Sequence, residues 1–195
     1  MAWIRFPVPA FDSGPLKKMA YEPPAPISGT EAARIVKAAE AGDSSVAGGY
    51  AVEPDAALLE KLDFRGDYRT MILCALPGPG ARLLGRSYAW FNQRAFILDR
   101  NAADAEILYN WRTPRPMNTR FGPETGVILD RATICILSGR ILADHTRGNR
   151  VMIDRDWSPG DGLAGFRIAA ACDEGGGKEG GDDFRNACFE LSWQT

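Results

Sequence analysis

The chain has a single histidine, His145, and it follows Asp144 directly. An imidazole beside an acid is part of a nucleophile-activating arrangement, and Cys135 is the nearest upstream thiol. A cysteine, histidine and aspartate in contact would support acyl transfer. The setting of Cys135 argues against it. Residues 134–137 are an apolar run, and such surroundings raise a thiol pKa and leave a poor nucleophile. A histidine in a solvated turn is the plainer reading. No catalytic residue is assigned, and the chain is read as a non-enzyme. The rival enzyme reading is a hydrolase. It uses His145 and Asp144 with a nucleophile from elsewhere, or an acid pair within residues 154–161.

Metal chemistry is poorly supplied. Zinc needs several soft ligands at close spacing, and one histidine with four cysteines outside any CxxC does not provide them. Hard cations need clustered oxygens. Asp154, Asp156 and Asp161 flank a turn around Trp157 and form the alternative cation site. Asp173, Glu174, Glu179, Asp182 and Asp183 crowd a glycine-rich loop. That loop lacks the fixed spacing of an EF-hand and reads as a solvated anionic tip. No metal and no cofactor is assigned.

Arginine and aromatic residues share one stretch. Arg82, Arg86, Arg94, Arg100, Arg112, Arg115 and Arg120 stand among Tyr88, Trp90, Phe91, Tyr109 and Trp111. This mixture is typical of protein-interface hot spots and of single-strand nucleic-acid platforms. The plainer reading puts the aromatics in the core and the arginines on the solvated face. A protein interface comes next, and nucleic acid or glycan last. Trp90, Trp111 and Trp157 are the candidate glycan contacts, since sugar rings stack on exposed aromatics.

Bulk properties bound the partners. The 195 residues fit one domain, or one domain with an appendage. A formal net charge of −2 gives no global field to steer the chain to nucleic acid or to an anionic membrane. No apolar run reaches the roughly eighteen residues of a membrane span. Pro7 and Pro9 break the apolar helix a signal peptide would need, so synthesis in a cytoplasm without export is expected.

The elements that would position these groups fall into three segments. Residues 1–29 are dense in proline and carry Trp3, Phe6, Phe11 and Tyr21, which predicts an extended arm whose aromatics bury along the domain's own surface or across a neighbouring subunit. Residues 30–67 are a helical segment. Thr30 is the expected N-cap of a first helix stopped by Gly42, residues 43–49 a small-residue linker, and residues 54–62 a second helix. Residues 68–195 read as strands. Residues 70–76 form a continuous apolar strand. Residues 86–98 form one bent strand or a hairpin turning at Asn92-Gln93. Residues 102–111 are ambiguous, with Asn101 able to cap a helix, and residues 113–123 read as a proline-punctuated loop. A meander follows over 126–154, with turns at Asp130-Arg131, Ser138-Gly139 and 146–149. The last hairpin pairs residues 166–172 with 187–193. If it closes symmetrically, Cys172 and Cys188 oppose each other. Two reduced thiols packed together are the plainer reading in a reducing compartment, and a disulfide there would close a loop of about fifteen residues and contribute about 3 kcal/mol.

Many short strands at this spacing predict an antiparallel β-sandwich or jelly-roll-like domain behind two short helices. The functional expectation is a structural assembly protein that docks on other subunits, as homo- or hetero-oligomer, through its N-terminal arm. A virion component of capsid-associated, head–tail or tail type fits that description. The alternative is a carbohydrate-binding sandwich, calcium-assisted through the aspartates above. Neither a membrane nor nucleic acid is the expected partner.

Overall fold

The structure is a computed structural model. It describes residues 25–66, 70–76, 81–89, 92–113, 117–121, 127–129, 131–148, 150–154, 167–173 and 187–194. Trp3, Phe6, Phe11, Tyr21, Trp90, Trp157, Asp156 and Asp161 lie outside the described residues, as do Arg115 and nearly all of the acidic glycine loop. Among the described residues no helix is long and apolar enough to cross a membrane.

Helix α1 spans Gly29–Glu40. Its N-cap is Ser28 rather than Thr30: the Ser28 hydroxyl accepts from the Glu31 amide at 3.2 Å. Glu31 suits the positive end of the helix, and Lys37 the negative end. The helix stops at Ala41, and Gly42 then takes a left-handed φ of 81°. The expected linker is partly ordered structure. The Asp43 carboxylate accepts from the Ser45 amide at 2.9 Å and sets a 3-10 turn over Ser44–Val46, and strand β1 follows at Gly48–Val52. Helix α2 spans Ala56–Lys61, with the Asp55 carboxylate accepting from the Leu58 amide at 2.9 Å.

Strands β2 (Phe64–Arg65) and β3 (Met71–Ala75) lead into the strand-rich remainder. It contains β4 (Ala81–Ala89), β5 (Gln93–Leu98), β6 (Ile107–Thr113), β7 (Met117–Phe121), β8 (Val127–Leu129) and β9 (Thr133–Ile141). It ends with β10 (Thr146–Gly148), β11 (Arg150–Asp154), β12 (Arg167–Asp173) and β13 (Ala187–Gln194). The described chain is therefore mainly β with short helices.

Two sheets result. β9 is the hub of the first. It pairs with β3 over residues 133–137 and with β5 over residues 135–140, so these two occupy opposite edges. β10 pairs with residues 139–141 and so continues the β3 edge. β1 extends β3, β6 extends β5, and β2 joins β10 as a parallel pair. The second sheet runs β11-β12-β13-β4-β7, with β8 also on β4. Every pair in it is antiparallel.

Several sequence expectations change. Residues 86–98 are not one strand or one hairpin, because β4 and β5 belong to different sheets. The meander over 126–154 divides the same way: β8 and β11 join one sheet, β9 and β10 the other. Ser138-Gly139 is no turn. β9 runs straight through it, with Ser138 buried. Residues 102–111 end in a strand, and the proline-punctuated loop contains β7. Asn101 caps no helix. Its side-chain oxygen accepts from the Asp55 amide at 2.7 Å and its nitrogen donates to the Glu53 carbonyl at 2.7 Å, tying the β5–β6 connection to the start of α2.

The helices cover one face of the first sheet. Ile35, Leu58, Leu59 and Leu62 pack with Met71, Leu73, Phe96, Leu98, Cys135 and Leu137 in one cluster. The alternate positions Ile72, Cys74, Ile97, Ile134 and Ile136 are equally buried, so this sheet is covered on both faces. That explains the continuous apolar run of β3, which an alternating, half-exposed strand would not show. The two sheets meet where β1 approaches β11 and β12, and where β6 approaches β4 and β7.

Candidate functional site

His145 sits in the turn between β9 and β10. Its Nδ1 lies 2.8 Å from the Asp144 carboxylate, and its carbonyl accepts from the Leu142 amide. The His145 hydrogen bond holds the exposed Asp144 carboxyl below the usual range, with a smaller charge effect from Arg65. Arg65 is 4.0 Å from Asp144 and 2.8 Å from Asp63. Asp63 adopts a φ of 56°, a left-handed conformation that aspartate tolerates better than most residues, and its carbonyl accepts from the Thr146 amide. Beside this ion cluster a shallow cleft of about 310 Å³ is lined by Ala56, Leu59, Glu60 and residues 63–65.

Cys135 does not reach this turn. Thr146 pairs with Ile141, and Cys135 lies roughly 20 Å further along β9 at the rise of an extended strand. Burial, with a lesser effect from Asp99, pushes the Cys135 thiol up to about 12. Burial likewise raises Cys74 well above its ordinary value. The sequence reading of Cys135 as inert stands on this geometry, and the Cys135–His145–Asp144 arrangement does not form.

The other candidates separate. Trp111 is on β6, paired with Ala95, and Asp154 ends β11, paired with Ala169. Among the described residues no group of three histidine, cysteine, aspartate or glutamate side chains could hold a metal ion. Cys172 pairs with Ala187 and Cys188 with Ala171. The C-terminal hairpin is therefore offset by one residue from the symmetric closure that would set the two cysteines opposite.

The arginine-aromatic stretch is split between the sheets. Arg86 and Arg120 are register partners in the second, with Glu190 on the other side of Arg86. Arg82 pairs with Gln194 and Ile128, and Tyr88 with Asn118 and Cys188. In the first sheet the arginines divide between the two ends of the β5–β6 pair. At one end Arg100 meets Asp104 at 2.8 Å and Asp99 at 3.4 Å, and Arg131 meets Glu106 at 2.7 Å. At the other end Arg94 and Arg112 are direct register partners. Next to them Arg65, Arg147 and Arg140 fall into one register row across β2, β10 and β9. Sequence reasoning found Arg94 and Arg112 but not their pairing, and it missed the second row. Nothing in the linear spacing signals either, since both arise from strands distant in the chain.

No family model matches this chain, and no curated protein matches it. Among solved structures it is similar to the C-terminal domain of the BC2L-C lectin from Burkholderia cenocepacia. The TM-score is 0.44 and the identity 12%, over 63% of this chain and 95% of that domain.

Proposed function

We propose that the chain is a non-catalytic β-sandwich protein that works by docking on other subunits through its N-terminal arm, in the manner of a virion component. The observation that supports this reading is where the arm joins the fold. Ile27 forms a parallel bridge with Val52, its amide donating to the Ala51 carbonyl at 2.8 Å, and it packs against the core. β1 is bonded to β3 on its other side, so Ile27 marks the outer edge of the first sheet. Pro26 precedes it and has no amide to donate, and Pro23 and Pro24 lie further back. An arm of this kind leaves the edge from a fixed point and gains contact area where it orders on a neighbour.

The test is the native mass of the full chain against a form that starts at Glu22 and keeps Ile27. The full chain is expected to assemble and the shortened form to be a folded monomer. Two monomers of equal melting temperature would end this reading.

The second reading is a carbohydrate-binding module. Its candidate contact among the described residues is Trp111 on β6, paired with Ala95. A glycan array with and without chelator tests it, and silence in both conditions removes it.

A further inference from the structure

Arg94 and Arg112 are Cα partners across β5 and β6. Directly opposed residues share a face at about 5 Å between Cβ atoms, and like charges placed so are destabilising. Among the described residues neither arginine forms an ion pair. The opposite end of the same strand pair is the internal control: Arg100 and Arg131 there are each matched by carboxylates. The imbalance at the Arg94 end is local and built into the register.

Further features make this more than a pair of solvated side chains. The Arg94 guanidinium lies over the Phe96 ring, 4.3 Å from its centroid. Phe96 is fully buried and is held in a tilted contact with Phe64 at 5.9 Å. The Arg94 Nε is buried and has no hydrogen-bond partner among the described residues. The cation is thus fixed against an apolar wall, so little ordering remains to be lost on binding. On the β9 side Arg94 is paired with Gly139, which offers no countercharge. On the β6 side the exposed Asn110 is the partner of Phe96, so Asn110, Arg112 and Arg94 share one face. Burial, and after it the neighbouring Arg112 charge, lowers the Arg94 pKa.

We propose that Arg94 and Arg112, with Asn110 beside them, form a binding site for a tetrahedral oxyanion, a phosphate or sulfate group carried free or as an ester. Guanidinium forks match such groups with paired N–H donors, and two forks plus an amide satisfy more than two oxygens at once. A monocarboxylate supplies only two oxygens and fills less of the site. A neutral ligand leaves the repulsion between the arginines in place. The site is independent of the N-terminal arm and of the assembly reading.

The experiment is a titration of the full chain with sodium phosphate, sodium sulfate and glycerol 3-phosphate, each against sodium chloride at equal ionic strength. Binding is read by calorimetry and by the arginine Nε–H resonances. Saturable shifts at Arg94 and Arg112 are expected. Arg112→Gln, at an exposed position, is expected to weaken binding at least tenfold, whereas Arg100→Gln leaves it unchanged. Arg94→Lys keeps the charge, loses the fork, and is expected to behave like Arg112→Gln. Equal responses to the free anions and the ester mean that the group alone is recognised. Saturation by the ester only assigns the site to an esterified ligand. Responses no different from chloride, or an Arg112→Gln variant within twofold of the parent, overturn the proposal.

Discussion

Gly139 and the Phe64 ring exclude a side chain from each other's space: a Cβ on residue 139 would stand 2.7 Å from Phe64 Cε1. It would also meet the Arg147 carbonyl oxygen at 2.6 Å and Thr146 Cγ2 at 2.7 Å. The carbonyl belongs to the paired strand β10 and cannot swing away. Gly139→Ala is therefore expected to destabilise by about 1–3 kcal/mol, the usual cost of overpacking. Gly29, in the first turn of α1, has no heavy atom within 4 Å of its would-be Cβ. Gly29→Ala should be neutral or stabilise by up to about 1 kcal/mol. Urea denaturation of both variants checks the contrast, and equal midpoints would refute it.

Cys74 and Cys135 should be silent in the native state. Cys74 and Cys135 are buried, and burial raises both thiols. At pH 8 neither should react with iodoacetamide at a measurable rate, and both should react once the chain is unfolded. Peptide mass spectrometry after pulse labelling distinguishes them from Cys172 and Cys188. Rapid native labelling of Cys135 would contradict the packing of β9.

Asp144 carries a pH signature. Its hydrogen bond from His145 keeps its folded pKa below that of the unfolded chain. A depressed carboxylate contributes stability that is fully present above its unfolded pKa and is lost as pH falls through its folded pKa. The carboxyl carbon resonance of Asp144 should titrate below the ordinary aspartate range. His145→Ala should return it toward that range. An unchanged titration in the variant would show that the pair does not persist in solution.

Asn101 should matter more than its exposure suggests. It bonds to both Glu53 and Asp55 and joins connections far apart in sequence. Asn101→Ala leaves the Asp55 amide and the Glu53 carbonyl without these partners and should cost about 1–2 kcal/mol. Asn101→Asp keeps an acceptor for Asp55 and loses the donor to Glu53, so it should fall between the parent and the alanine variant. Thermal denaturation of the three proteins gives the order.

Legibility in the sequence followed range. Helix α2 and strand β3 were readable because a capping acid, leucine spacing and an unbroken apolar run are local signals. The pairing of the last hairpin was readable in the same way, though its register was not. β1 escaped notice because Gly48 and Gly49 give it little strand character, and only β3 beside it makes it a strand. Ser138-Gly139 has the chemistry of a turn, but the Phe64 ring claims the glycine instead. The division of adjacent strands between two sheets left no mark on the alternation pattern. For the same reason the Arg94–Arg112 pairing could not be seen: register is a property of two segments, and each segment alone is silent about it.

The bridge at Ile27 also bears on solubility. An open strand margin invites copies of a protein to zip together indefinitely. Here the margin of β1 is met near its C-terminal end by a residue whose predecessor, Pro26, cannot donate a hydrogen bond. Any growth along that margin must begin beside a segment unable to template it. A second copy adding a strand there meets a position with no amide to offer, which disfavours open-ended strand addition at that point.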